Sequence, residues 1–197
     1  MVTRFYSIKD EVRVLGLDDG PFKRDDSDVL VVGAVFRGGS FMDGVISTRV
    51  SVDGLDSTAR LAEVIGKTRF RDLRVIMLDG IAFGGFNVVD INRLCEETGL
   101  PVIVVTRNMP DFREIRRALM NLRDGKDRYR LMEDAGEPKP VETRDNKFVY
   151  IQAAGINFKD AEEIVRLSST RSLIPEPIRV AHLIAQGVVS GESKGKA

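Results

Sequence analysis

Three aspartates stand where acidic side chains can do chemistry. Asp18, in Leu17-Asp18-Asp19-Gly20, closes an apolar, β-branched run, and Asp79, in Leu78-Asp79-Gly80, closes another. Asp56 lies between a third strand-like segment and the mouth of a helix. In open α/β sheets the loops diverge beyond the carboxyl ends of the strands, and ligand sites form in the crevice they leave. Carboxylates gathered there repel one another unless a cation sits between them. Three of them suit one or two Mg²⁺ or Mn²⁺ ions, which can activate a water for attack on a phosphodiester and stabilise the departing oxyanion. Asp18, Asp56 and Asp79 are therefore the candidate catalytic and metal-binding residues. Taken singly, each has a plainer role, since Asp before Gly makes a turn and Asp56 can cap a helix. Only their joint placement argues for a site. Asp19 is an alternative to Asp18, because a strand buried on both faces gives alternation no power to choose, and Asp53 is an alternative to Asp56.

Other residues fall on the same crevice edge. The loop Gly80 to Asn87 offers Gly80 and Gly84, whose backbone N–H groups could meet a phosphate, and Phe83 or Phe86 as a stacking surface. The same glycines also serve a tight strand-to-helix turn. Arg107, just past another short apolar run, could meet a phosphate. Gly80, Phe83, Gly84 and Arg107 are thus the candidate substrate-binding residues. His182 follows Ile178 by four residues on the apolar face of the last helix and reads as a core-lining histidine rather than a ligand. Cys95, beside Leu94, reads as a buried thiol. Arg113, Arg116, Arg117 and Arg123, with Lys126, Arg128 and Arg130 beyond, form either a local basic face or a solvated helix surface.

Composition limits the alternatives. The 197 residues amount to one compact domain, and 43% hydrophobic residues supply its core. Thirty basic and thirty acidic side chains cancel, so a nucleic-acid role needs that local basic face. One cysteine and one histidine exclude an intramolecular disulfide and Cys/His zinc clusters, which leaves oxygen-rich coordination. No basic-plus-apolar leader and no run near 20 apolar residues is visible, which points to a soluble cytoplasmic protein and no membrane partner.

The elements that must position these residues follow from periodicity. Strands are expected at 11–17, 28–37 and 42–52, the last two joined as a hairpin at Gly38-Gly39. A helix starts at Asp56 or Ser57, where Leu61, Ala62 and Ile65 recur at helical spacing. Runs 73–78 and 101–105 are short buried strands, made parallel by the helical crossover at 88–98. A helix at 111–124, a long charged loop or mobile insertion at 125–146, an edge strand at 147–152, and helices at 158–167 and 175–186 complete residues 1–189. Residues 190–197 read as a flexible tail. Three antiparallel strands followed by alternating parallel strands and helices is the ribonuclease H-like order, a mixed sheet covered by helices on both faces.

Four segments then carry a resemblance: V-L-G-L-D-D-G-P-F at 14–22, V-D-G-L-D-S-T at 52–58, L-D-G-I-A-F-G-G-F-N at 78–87 and L-I-P-E-P-I-R-V-A-H at 173–182. They resemble the archaeal endonuclease dU family, distantly similar to endonuclease V. The resemblance implies a Mg²⁺- or Mn²⁺-dependent DNA endonuclease acting at deaminated bases, deoxyuridine in particular, in DNA repair. By it, Asp18 and Asp79 match the aspartates of the first strand and of the Asp-Gly motif after the fourth strand, and Asp56, or else Asp53, stands where endonuclease V has glutamate. The sequence departs from endonuclease V at three places. Gly155 is followed by Ile156 rather than histidine, Thr106 or Arg107 replaces a lysine, and the Pro-Tyr-Ile-Pro wedge has no counterpart. Loss of a wedge favours bases already unpaired, so single-stranded or uracil-containing DNA is the expected partner. The competing readings are a nucleic-acid- or protein-binding module that kept the fold without catalysis, and an actin-like phosphotransferase. The latter needs two such domains, and this chain supplies one.

Overall fold

Apolar alternation builds the sheet. In the computed structural model, which describes residue 3 and residues 5–144 and 146–194, β1 (Arg13–Asp19), β2 (Asp28–Arg37) and β3 (Phe41–Ser51) form an antiparallel meander. After α1 (Ser57–Lys67), β4 (Val75–Asp79) lies parallel to β1. The two-residue strands β5 (Ala82–Phe83) and β6 (Asn87–Val88) pair with each other in a small hairpin. They lead to α2 (Ile91–Thr98) and to β7 (Val102–Thr106), parallel to β4. Then come α3 (Phe112–Leu119), α4 (Gly125–Asp134), β8 (Lys139–Arg144), β9 (Lys147–Ala154), α5 (Phe158–Ser168) and α6 (Glu176–Ser190). The main sheet runs β3-β2-β1-β4-β7-β9-β8. Among the described residues, no helix is long and apolar enough to cross a membrane.

Successive side chains of a strand point to opposite faces, and the central strands divide their residues accordingly. Leu15, Leu17, Ile76, Leu78, Val102 and Val104 pack under α1 and α2 with Leu61, Ile65, Ile91 and Leu94. Val14, Val75, Met77, Ile103 and Val105 pack on the other face with Ile164 and Val165 of α5 and Ile178 of α6. Both faces of the parallel pair are covered, the condition that lets such strands be apolar throughout.

Three expectations need correction. The stretch 125–146 is not a loop or insertion: α4 and β8 occupy most of it. Its few large apolar residues suffice because Met132 packs on Leu119 and Val88, and Val141 joins the α5 face. Consequently β9 is not the edge strand, since β8 pairs along its free side. Lastly, the helix at 111–124 ends at Leu119, where Gly125 packs so tightly that a Cβ would lie 1.9 Å from the Leu119 carbonyl oxygen. Of the expected tail, Ser190 ends α6 and residues 195–197 lie outside the described residues.

Helix α6 packs closely on β1. A Cβ on Gly16 would sit 2.3 Å from the Pro177 carbonyl carbon and 2.5 Å from the Ile178 nitrogen, so helix backbone rests directly on strand backbone. Farther along, Gly20 faces Ala185 and Val189. Contacts rise in the same order along both elements, so α6 runs in the direction of β1. Gly16→Ala is expected to destabilise the protein by about 2–3 kcal/mol through forced backbone displacement. Gly66→Ala in α1, where a Cβ would meet nothing within 4 Å, is expected to stabilise it by about 0.5 kcal/mol. Urea unfolding of the two variants checks both signs.

Candidate metal centre

The face that Gly16 opens to α6 also bears Asp18, two residues on. In β4 the same face carries Val75, Met77 and then Asp79. The parallel register pairs Leu17 with Leu78, so Asp18 and Asp79 follow side by side on neighbouring strands about 4.8 Å apart. Four to five helical residues beyond Pro177 and Ile178 advance the helix by about 6–7 Å, which matches two residues of strand. That rise brings His182 level with Asp18. Its Nδ1 lies 2.7 Å from Asp18 Oδ2, and ligand atoms of Asp18, Asp79 and His182 all lie within 4.8 Å of one another.

Burial sets the electrostatics. Asp18 is 5% exposed, and its Oδ1 accepts the Asp19 N–H at 2.8 Å. Desolvation raises its carboxyl above the usual range despite the His182 hydrogen bond. Asp79 is pushed up to about 7, first by burial and then by the charge of Asp18, with Arg107 and His182 pulling the other way. Charges act on Asp79, and among the described residues no hydrogen bond reaches its carboxyl. His182 is raised by its hydrogen bond to Asp18, against the effect of burial. Two crowded carboxyls and an imidazole make an oxygen-and-nitrogen donor set that a divalent cation fits, because its charge relieves the repulsion and desolvation that raise the two acids.

The remaining predicted residues separate clearly. Asp19 points to the opposite face and accepts the Gly84 N–H at 2.6 Å, so the strand end is divided between two jobs. Asp53, at φ 49°, accepts the Phe86 N–H at 2.8 Å. Asp56 is outside the cluster. It occupies the N-cap position of α1 without bonding a helix N–H; its oxygens take the Ser51 N–H, the Ser51 hydroxyl and the Asn87 amide at 2.7 Å. Burial opposes ionisation there, and the hydrogen bonds from Asn87 and Ser51 together outweigh it to hold the carboxyl low.

The expected phosphate loop is also different. Gly80 donates its N–H to the Val105 carbonyl and Gly84 donates to Asp19, so neither amide is open to a ligand, and their φ values of +75° and +54° serve the turns. Phe83 is fully buried in the α1–α2 core and offers no stacking face; Phe86 is half-buried instead. Arg107 is exposed, with its charge felt by both Asp79 and His182. Arg128 belongs to no basic face: at 4% exposure it donates to the carbonyls of Asp53, Gly54 and Phe86 and pairs with Asp124. Cys95 is half-buried against the core.

Sequence reasoning missed His182, which faces Asp18 rather than lining the core. The available signal was the resembling segment 173–182, which ends on this residue. Ile156 is a buried packing residue of the core cluster that also holds Val12 and Ile178. The imidazole of the cluster comes from α6.

Comparison with known proteins adds a lineage to this geometry. The model of a family described as endonuclease dU matches residues 10–189. A UPF0215 protein of Methanothermobacter thermautotrophicus is 57% identical over 196 residues, spanning 98% of this chain and 95% of the relative. A crystal structure of a protein of unknown function from Archaeoglobus fulgidus is 39% identical, with TM-score 0.80, covering 90% of this chain and 97% of that one. Endonuclease V of Ciona intestinalis, crystallised with a 24mer DNA containing an inosine followed by a ribo-adenosine, superposes with TM-score 0.58 at 18% identity. The match covers 91% of this chain and 86% of that chain, and shows a shared ribonuclease H-like fold.

The raised acids make a pH prediction for the metal-free protein. Asp79 ionises near 3.8 when unfolded and at about 7 when folded, so the folded state holds the extra proton between these values and loses stability as pH rises through them. His182 works in the same direction, its contribution complete below 6.5 and lost as pH passes its raised folded value. Thermal melts in EDTA should therefore fall from about pH 5 to about pH 8. Asp79→Asn should flatten that decline and melt above wild type at the higher pH. Added Mn²⁺ should raise the wild-type melting temperature there and leave the variant unmoved.

Proposed function

Because this chain belongs to the endonuclease dU family, we propose that it is a divalent-metal-dependent DNA endonuclease, cutting a phosphodiester near deaminated bases, deoxyuridine foremost, in DNA repair. The observation that carries this reading is the convergence of Asp18, Asp79 and His182 from three elements on one point. Family membership and the endonuclease V-like fold support a nuclease, and the DNA bound by the Ciona endonuclease V supports a nucleic-acid substrate.

Asp18 and Asp79 would hold Mg²⁺ or Mn²⁺, with the His182 ring beside them. When bound, such an ion polarises a phosphoryl oxygen and lowers the pKa of a water. The chain's own residues do the rest. Asp18 fixes the His182 ring through Nδ1, which leaves Nε2 as the ring atom free to meet an ion or to hold a proton. Asp18 itself is fixed by the Asp19 N–H, so the strand end cannot swing its carboxylate away. Arg107, exposed at the end of β7, meets a phosphate of the substrate. Asp56 organises the β3–α1 turn through Ser51 and Asn87. Without a wedge to part a duplex, the substrate is a base that is already unpaired.

Nicking of end-labelled oligonucleotides tests this, with single- and double-stranded substrates carrying uracil, hypoxanthine or no lesion. Metal-dependent cleavage of uracil-containing strands is expected. Asp18→Asn and Asp79→Asn should lower the rate by about 10²-fold or more, and His182→Ala by about 10-fold or more. Asp56→Asn should lose at least about tenfold less than Asp79→Asn. Equal nicking by wild type and Asp79→Asn would overturn the assignment.

A further inference from the structure

The chain as a whole has no net charge, yet residues 107–130 hold eight basic and four acidic side chains. Elsewhere many arginines are tied to carboxylates, as Arg13 and Arg37 are to Asp43, Arg49 to Asp28, Arg93 to Glu97 and Arg179 to Glu176. Among the described residues, Arg113, Arg116, Arg117, Arg123 and Lys126 form no ion pair, and all five are exposed. Arg113 and Arg117 lie in one row of α3 at four-residue spacing, and Arg116 lies on the flank of that row turned toward α4, over the Tyr129 ring at 5.6 Å. The inner side is set by Leu119, packed with Val88 and Met132.

Alongside this face runs a groove of about 440 Å³ between the β5–β6 hairpin and α3, lined by Phe86, Glu114, Ile115, Arg117, Ala118 and Asn121. Its volume is that of a small-ligand cleft, and it combines the aromatic face of Phe86, aliphatic walls, the Asn121 amide, the Glu114 carboxylate and the Arg117 cation. Both backbone polar groups of Phe86 are bonded to charged side chains. Asp53 takes its N–H, and Arg128 donates to its carbonyl oxygen. The same hairpin is anchored at Gly84 by Asp19, the neighbour of Asp18. From Asp18 through Asp19 and Gly84 to Phe86 the connected path is short, within roughly 20 Å by chain dimensions.

We propose that the groove between Phe86 and α3, with the arginine face beside it, binds a single-stranded DNA segment that continues from the strand held at Asp18 and Asp79. The proposal rests on the nuclease reading and extends it to how the strand is held. The arginines take successive phosphates, and Phe86 receives a base face. Duplex DNA has no use for that face, because its bases are already stacked on one another, whereas single strands gain from each aromatic surface they meet.

Fluorescence anisotropy of a labelled, lesion-free oligothymidylate of about 20 nucleotides, in EDTA, reads binding without cleavage. The triple variant Arg113→Ala/Arg116→Ala/Arg117→Ala should weaken binding about tenfold or more at low salt. Its slope of log K against log salt should become shallower by about 2, the loss of three single-strand phosphate contacts. Phe86→Leu should weaken binding roughly fivefold without changing the slope. Removing three exposed cations elsewhere, in Lys147→Ala/Lys159→Ala/Arg171→Ala, should change the affinity by less than about twofold. Absence of wild-type binding, equal losses in the two triple variants, or a duplex bound as tightly as the single strand with Phe86→Leu silent would each overturn the proposal. Because the measurement is made without metal, its failure with uracil nicking intact removes the strand groove alone. Failed nicking with these binding losses present removes the catalytic reading alone.

Discussion

The place of the imidazole at the candidate centre depends on the direct contact of α6 backbone with β1 backbone over Gly16. A side chain there would push the helix outward, and His182 would no longer reach Asp18. Small residues extend the contact, with Ala181 and Ala185 fully buried on the strip that faces β1 and β2. Helix and strand thus act as two rulers laid side by side, whose different rises per residue coincide at the histidine and the aspartate. The other pair, Asp18 and Asp79, needs no helix, because the parallel register alone makes them neighbours.

This arrangement explains what a reader of the sequence can and cannot obtain. The antiparallel meander, the parallel crossover and the helices on both faces follow from apolar spacing, and the fold matches the ribonuclease H-like expectation. Residues 125–146 escaped that reading because α4 buries little apolar surface and instead sends one arginine inward, a tertiary effect with no periodic signature. The choice between Asp18 and Asp19 was illegible for a related reason. Both faces of β1 are covered, so hydrophobic alternation is uniform, and only the facing elements separate an acid beside α6 from an acid holding a loop amide.

His182 and Phe83 show the same lesson from opposite directions. An apolar helix face suggested packing for the histidine, and a glycine-rich loop suggested exposure for the phenylalanine. In each case a single turn of geometry decides. The glycines at 84 and 85, both with positive φ, fold the loop back so that Phe83 enters the core and Phe86 lies at the surface. Charged side chains then hold the loop: Asp19 takes the Gly84 N–H, Asp53 takes the Phe86 N–H, and Arg128 donates to the Phe86 carbonyl.

The division of labour between Asp18 and Asp19 has an evolutionary corollary. Successive strand residues alternate strictly, so a one-residue deletion between Gly16 and Asp18 would exchange the two acids between faces, presenting the wrong carboxyl to the helix and orphaning the loop. Lengthening the segment between β1 and β2, by contrast, leaves the phase of β1 intact. The length of the stretch from Gly16 to Gly20 therefore sets which acid meets the helix, whereas the length of the rim beyond it does not.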